Sequence, residues 1–393
     1  MKTVYLVSAV RSAITSFGGS FKDMMPSDLA AQLLTAAVER AGIDKAQVEE
    51  VILGHCIQRT DEPNTARTAA LKAGFPNTVP GYTIQRQCGS GMQAILSGMQ
   101  QIQTGYADIV LAGGVEVMSS SPYVLKQNRW GQRLQHSTVY DTVWECLTDP
   151  LTGDMMGHTA ENLAEKYNIT RDEQDTLALE SHQKALAALE SGRFEKEISP
   201  VTVQLGRGKT AEVTRDEHPR ADISAEKLAK LRPSFNTDGG SVTAGNASGL
   251  NDGACAVILM SEEKVQELGV TPLAKIIAGA VAGVEPELMG YGPVPAVNKL
   301  LKQTGFTKDD IDLWEINEAF AAQYIAVEKL LDLDRSIVNV NGSGISLGHP
   351  VGATGARIVT TLAHELHHKG LTRGIATLCI GGGMGLALMI ERV

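Results

Sequence analysis

Glu39–Gly54 reads ERAGIDKAQVEEVILG, and Lys302–Asn317 reads KQTGFTKDDIDLWEIN. Each runs from a helix end through a glycine and a second short acidic segment into an apolar strand, and 302 against 39 is an offset of 263. Gly42 and Gly305 fall where a helix is capped by a residue with positive φ. The likeness continues downstream. Cys88 opens a Gly-rich turn, a helix and then ADIVLAGG, whereas His349 opens HPVGATGARIVTTLAHEL and then IATLCIGG, at an offset of 261 (349 against 88). Each half closes on an apolar strand, Ala254–Met260 and Leu386–Ile390. The reading is an α/β chain of two pseudo-symmetric βαβ-rich halves, each presenting one reactive residue at a strand-to-helix turn.

Between Val117 and Leu250 the pattern changes to polar helices and loops with no counterpart in the second half. This is an insert. Thr170 and Glu173 form a capping box for a long helix, Gly192 is its C-terminal stop, and ISPVTVQL is strand-like. The domains read as 1–118 with 250–270, the insert 119–249, and 271–393. An insert over the strand ends of an α/β body is where ligand specificity is expected.

Composition narrows the class of function. The chain has 393 residues, 43% hydrophobic and 20% charged, which is the usage of a globular enzyme. Its net charge of −10 supplies no basic field for nucleic acid or anionic lipid. Five cysteines without a CxxC pair argue against a disulfide framework and for a reducing, cytoplasmic setting. MKTVYLVSAVR does not read as a signal peptide, and no apolar run is long enough to span a membrane. The longest, Ile375–Ile390, is broken by four glycines and reads as a buried strand with turns.

Three positions carry the candidate chemistry. Cys88, in QCGSGMQA, lies at a helix N-terminus, where partial positive charge favours a thiolate. His349, in NGSGISLGHPVGATG, sits among residues so small that its ring should face a cavity. Cys379 ends an apolar strand before glycines whose N–H groups can nest an anion. Alone, each cysteine could be structural and the histidine a packing residue. Three of them on symmetry-related Gly-rich turns point to nucleophilic and acid–base catalysis.

Three other matches are set aside. HELHH (His364–His368) fits a zinc pattern, but the apolar spacing of Ile358, Leu362 and Leu366 puts its histidines on the opposite, wet face of the helix. GRGKT (Gly206–Thr210) lacks the earlier glycine of a phosphate loop, which is Val203 here. GSGMQA mimics a dinucleotide fingerprint with a cysteine at its mouth. No metal ligand set and no tightly bound cofactor are expected.

CGSG, NEAF, GHPVGATG and CIGGGMG, in that order and spacing, resemble a thiolase, and the resemblance runs from VSAVRSAI to the final strand. It implies the thiolase fold: two five-stranded βαβαβ halves in stacked layers with helices between, and an inserted loop domain that binds coenzyme A. It implies reversible Claisen condensation of two acetyl-CoA to acetoacetyl-CoA and CoA, or thiolysis of 3-ketoacyl-CoA. Cys88 is then the nucleophile, His349 its base, and Cys379 the base for the α-proton. Asn317 with His349 forms the enolate site, and the N–H groups of Cys88 and Gly381 the second oxyanion hole. For coenzyme A the resemblance points to Leu147, Met156, Arg220, Phe235, Ala244, Ser248, Ala319 and Phe320, with Met289 at the acyl end.

Met155, Met156 and Gly157 stand where short-chain members usually carry HMG, and this leaves chain length and biosynthetic or degradative direction open. A degradative, longer-chain thiolase of fatty-acid β-oxidation is the nearest alternative. A decarboxylating condensing enzyme does not need Cys379 as a base, and a Cys–His hydrolase or a non-catalytic acyl-CoA carrier is a remoter reading. The resemblance also implies a homo-oligomer, dimer or tetramer, with Ser119–Arg133 as a candidate contact.

Overall fold

The two repeated segments fold alike, and the capping chemistry is the reason. In the computed structural model, which describes residues 2–393, helices Pro26–Ala41 and Pro293–Thr304 each carry proline in the first turn. They stop at Gly42 (φ 68°) and Gly305 (φ 76°), a conformation that costs a side chain little only when the residue is glycine. A single 3₁₀ turn closed by a capping box follows in both, Lys45–Gln47 and Lys308–Asp310. The chain then enters strands Glu50–Gly54 and Leu313–Ile316.

In the first half the strand order is Gly81–Ile84, Glu50–Gly54, Ile109–Val117, Asn251–Ser261, Val4–Arg11. The first three are mutually parallel, and Asn251–Ser261 is antiparallel to both its neighbours. The second half repeats this as Leu313–Ile316, Arg373–Ile380, Met384–Arg392 and Ala274–Gly283. The two sheets meet edge to edge through Tyr5↔Lys275 and Leu6↔Ala274. A fifth strand is absent from the second half, where a single parallel bridge, Trp314↔Val338, takes its place. The 3₁₀ turn Arg335–Ile337 before Val338 and Asn339 at φ 46° after it leave only one residue extended. Likewise Ile375–Ile390 is two antiparallel strands rather than one, because Gly382 (φ 76°) and Gly383 (φ 81°) reverse the chain between them.

Alternation along each strand sets up the layers. Cys255, Val257 and Leu259 point to an inner core, and Ala254, Ala256, Ile258 and Met260 to an outer one. The inner core holds helices Ser90–Gln103 and Val351–Lys369 between the sheets, through Ile95, Met99, Ile358 and Leu362. Helix Pro26–Ala41 covers one outer face, and helices Pro293–Thr304 and Ala321–Leu331 cover the other. The two inner helices touch backbone to backbone. A methyl group on Gly91 would lie 2.8 Å from the Gly352 carbonyl oxygen and 2.9 Å from the Ala356 nitrogen.

Residues 119–249 add helices Thr142–Cys146, Met156–Lys166, Arg171–Glu190 and Ala225–Ala229 and two short hairpins. Thr170 and Glu173 cap the longest helix, and Gly192 (φ 70°) follows its end. Buried Arg11 of the first strand fastens this region by ion pairs to Glu197 at 2.6 Å and Asp216 at 2.7 Å. Removing one partner of such a buried pair costs several kcal/mol, about 3–5.

Candidate active site

Between strand Gly81–Ile84 and helix Ser90–Gln103 the chain makes a tight turn at Gln87, a non-glycine residue at φ 42°. Such a conformation costs about 1–3 kcal/mol and persists only where neighbours enforce it. Ser90 does so: its hydroxyl donates to the Gln87 carbonyl at 2.6 Å and accepts from the Arg86 N–H at 2.9 Å. The turn sets Cys88 at the head of the helix, where the backbone N–H groups of Gly381 and of Cys88 itself act to lower the thiol's pKa. The helix terminus does not make it a ready thiolate. Burial pushes the thiol up to about 12, assisted by the neighbouring Cys146, and the two N–H groups offset only part of this.

His349 precedes helix Val351–Lys369 and lies almost wholly inside, its N–H donating to Asn251 Oδ1 at 3.0 Å. Nδ1 is 2.7 Å from Thr354 Oγ1, and that hydroxyl gives its one proton to the Pro350 carbonyl at 3.0 Å. Thr354 must therefore accept from Nδ1–H, which leaves Nε2 with a bare lone pair. Asn317 Nδ2 approaches that lone pair at 3.4 Å. Burial, with the Arg357 charge nearby, pushes His349 down to about 3, so the ring is neutral at physiological pH and able to take a proton.

Cys379 ends strand Arg373–Ile380, opposite Gly385, and is buried. Its thiol is pushed well above the ordinary range, first by burial and then by any negative charge on Cys88. The two sulfurs thus disfavour simultaneous ionisation.

Cys88, His349 and Cys379 line one cavity of about 280 Å³. Leu147, Met156, Phe235, Ser248, Met289, Ala319 and Phe320 form its walls with them. Asn317 reaches the site through His349, and Gly381 directly follows the strand that carries Cys379. Two residues singled out for coenzyme A lie outside this lining: Arg220, exposed, with its N–H on His182 Nδ1 at 3.1 Å, and Ala244, also exposed. Gly157 admits the Phe235 ring, which would meet a methyl group there at 2.2 Å.

Sequence reading missed Met118, Val143, Trp144 and Val351 in the wall, because they sit in aperiodic segments or next to a named residue. It also missed the supports Thr354, Asn251 and Glu116. Buried Glu116 accepts from the N–H groups of Cys56 (3.0 Å), Ile57 (3.2 Å) and Gly352 (2.9 Å), which joins the two halves behind the site. Only Thr354, five residues after His349 in GHPVGATG, was a usable signal.

The set-aside motifs have structural places. His364 is not on a wet face: its Nε2 is 3.0 Å from the Ala9 carbonyl oxygen, because the helix is packed on nearly all sides. Glu365 is buried and paired with Arg193. Among the described residues no group of three His, Cys, Asp or Glu side chains is arranged to hold a metal. GRGKT forms the exposed turn between strands Val201–Gly206 and Lys209–Val213, with no helix after it. No helix among the described residues is long and apolar enough to cross a membrane.

Comparison with known proteins places this geometry. Residues 4–263 match the family described as thiolase, N-terminal domain, and residues 270–392 match thiolase, C-terminal domain. The chain is 50% identical over 398 residues to the acetyl-CoA acetyltransferase of Escherichia coli, covering 100% of both. The crystal structure of the Bacillus anthracis acetyl-CoA acetyltransferase superposes with a TM-score of 0.98 at 62% identity, covering 100% of this chain and 99% of that one. Human mitochondrial 3-ketoacyl-CoA thiolase in complex with CoA gives 0.96 at 43% identity, covering 100% and 98%.

Proposed function

This chain belongs to the thiolase family, and we propose that it is an acetyl-CoA acetyltransferase that joins two acetyl-CoA into acetoacetyl-CoA and CoA and reverses the reaction by thiolysis. The observation that carries the proposal is the convergence of Cys88, neutral His349 and Cys379 on one cavity.

In the first half-reaction, His349 Nε2 takes the proton of Cys88 and the thiolate attacks the thioester carbonyl. The N–H groups of Cys88 and Gly381, which favour negative charge at the sulfur, receive the oxyanion. The CoA thiolate departs with the proton from His349, leaving acetyl-Cys88. Acylation abolishes the charge at Cys88 that opposes ionisation of Cys379. Cys379 can then pass its thiol proton to His349 Nε2, and the resulting thiolate removes the α-proton of a second acetyl-CoA while His349 Nε2–H and a water held by Asn317 support the enolate oxygen. The enolate carbon attacks acetyl-Cys88, and the Cys88 thiolate leaves. It takes the proton held on His349, while Cys379 keeps the α-proton, so both thiols and the neutral imidazole are restored.

Residues 119–249 act as the coenzyme A-binding loop domain. Leu147, Met156, Phe235, Ala319 and Phe320 enclose the pantetheine arm, with Ser248 for its amide, and Met289 closes the acyl end. Arg220 and Ala244, on the surface, belong to the nucleotide end. The functional unit is a homo-oligomer in the cytoplasm. Met155 in the cavity wall supports a second reading, thiolysis of longer 3-ketoacyl-CoA, since it gives an apolar surface where the short-chain pattern has histidine.

The test is acetoacetyl-CoA consumption by purified enzyme with and without free CoA. CoA-dependent loss is expected. Loss that ignores CoA would make the protein a hydrolase, and loss confined to longer 3-ketoacyl-CoA would favour the second reading.

A further inference from the structure

Two cysteines that this reaction does not use meet beside the cavity. Cys56 follows strand Glu50–Gly54, and Cys146 ends helix Thr142–Cys146; their sulfurs are 3.4 Å apart although 90 residues separate them in the chain. Both pack with Met118, Val143 and Val351, and with the nucleophile Cys88. Their settings differ. Cys56 is buried, and its backbone N–H is fixed at 3.0 Å on Glu116. Cys146 is only half-buried, at the end of a five-residue helix in the insert. A disulfide needs about 2.05 Å between sulfurs, so the pair has roughly 1.4 Å to close, within reach of side-chain rotation and a small shift of that short helix. Cys255, the remaining cysteine, is buried against the Thr360 hydroxyl.

We infer that Cys56 and Cys146 form a second reactive site, a dithiol that takes a peroxide as oxidant and closes to a disulfide. Cys146, the more open thiol, attacks the peroxide: an S–O bond forms, the O–O bond breaks, and one water leaves after protonation. The Cys56 sulfur then attacks the Cys146 sulfur. The S–O bond breaks, and the departing hydroxide takes the Cys56 proton as a second water. Two thiols are oxidised by two electrons in all, and one hydrogen peroxide is reduced to two waters. A thiol reductant restores the pair. Hydrogen bonding to Cys146, together with burial, holds the Cys56 thiol protonated, which suits the resolving role. The link ties Val143, Trp144 and Leu147, all in the cavity wall, to the loop that Glu116 anchors.

The experiment exposes the full-length protein, and its Cys88→Ala variant, to graded hydrogen peroxide, followed by alkylation, proteolysis without reductant and peptide mass mapping. The readout does not depend on acyl transfer. A peptide pair joining Cys56 to Cys146 is expected in both proteins, formed at peroxide levels at least tenfold below those that oxidise Cys255. It should vanish in Cys146→Ser and on treatment with dithiothreitol. In the wild-type protein thiolysis should fall several-fold as the link forms and recover on reduction. Cys56 and Cys146 still alkylatable once Cys255 is oxidised, or Cys146 joined instead to Cys88, would overturn the inference.

Discussion

Gly113–Gly114 lie within strand Ile109–Val117 of the first half and Gly381–Gly382 follow strand Arg373–Ile380 of the second, and these corresponding pairs do opposite things. Strand Ile109–Val117 runs straight through its pair, buried at all nine positions. A methyl group on Gly113 would lie 2.1 Å from the Cys255 carbonyl oxygen, and one on Gly114 2.2 Å from that of Gly352. These glycines permit close packing. Strand Arg373–Ile380 instead stops, and Gly382 and Gly383 turn the chain beside the cavity that Cys379 lines. In register with Cys379 the first half carries Leu111, a core residue. One strand position, used twice, gives a packing residue in the first half and a cavity residue in the second. Glycine content alone does not distinguish them.

Substitution at the paired positions should separate the two uses. Cys379→Ala is expected to cut condensation on the order of 10³-fold or more while acetyl-enzyme still forms. Leu111→Ala should cost about 2–5 kcal/mol of stability and leave kcat of the folded enzyme near wild type. Kinetics and urea unfolding on both variants check this, and a kcat loss in Leu111→Ala would break the contrast. Gly381→Ala puts a methyl group 2.2 Å from Gln87 Oε1, next to a proposed oxyanion donor. A loss of about 10² in kcat with little change in stability is expected. Gly113→Ala should reverse that pattern, losing about 1–3 kcal/mol of stability.

Smaller effects sharpen the account of the His349 turn. Thr354→Val removes the acceptor that holds Nδ1–H, and about a tenfold fall in kcat is expected, with Thr354→Ser restoring it. If Thr354→Ser is as slow as Thr354→Val, the methyl group and not the hydrogen bond matters. Because burial raises the Cys88 thiol, its thiolate fraction in free enzyme is small at neutral pH and grows as pH rises. Iodoacetamide should therefore inactivate at a rate still climbing from pH 7 through 9, and a plateau already below pH 7.5 would indicate a preformed thiolate–imidazolium pair.

Much of this was legible in the sequence because it is local. Helix stops at Gly42 and Gly305, the Thr170 capping box and the Gly-rich turns at Cys88, His349 and Cys379 depend on neighbours within a few residues. The misses share a cause. Glu116 meets Gly352 across 236 positions, and Asn251 meets His349 across 98, so no short pattern marks them. His364 looked solvent-facing because the periodicity of one helix does not reveal how many neighbours surround it. The missing fifth strand turns on the φ of Asn339, and the predicted thiolate on burial that outweighs a helix terminus.

The central claim is that Cys88 carries the acyl group. Purified enzyme mixed with acetyl-CoA, quenched in acid and digested, should yield the Cys88-bearing peptide with one acetyl group, absent from Cys88→Ala. No acetylated peptide, or acetyl on another residue with Cys88→Ala still active, would contradict it.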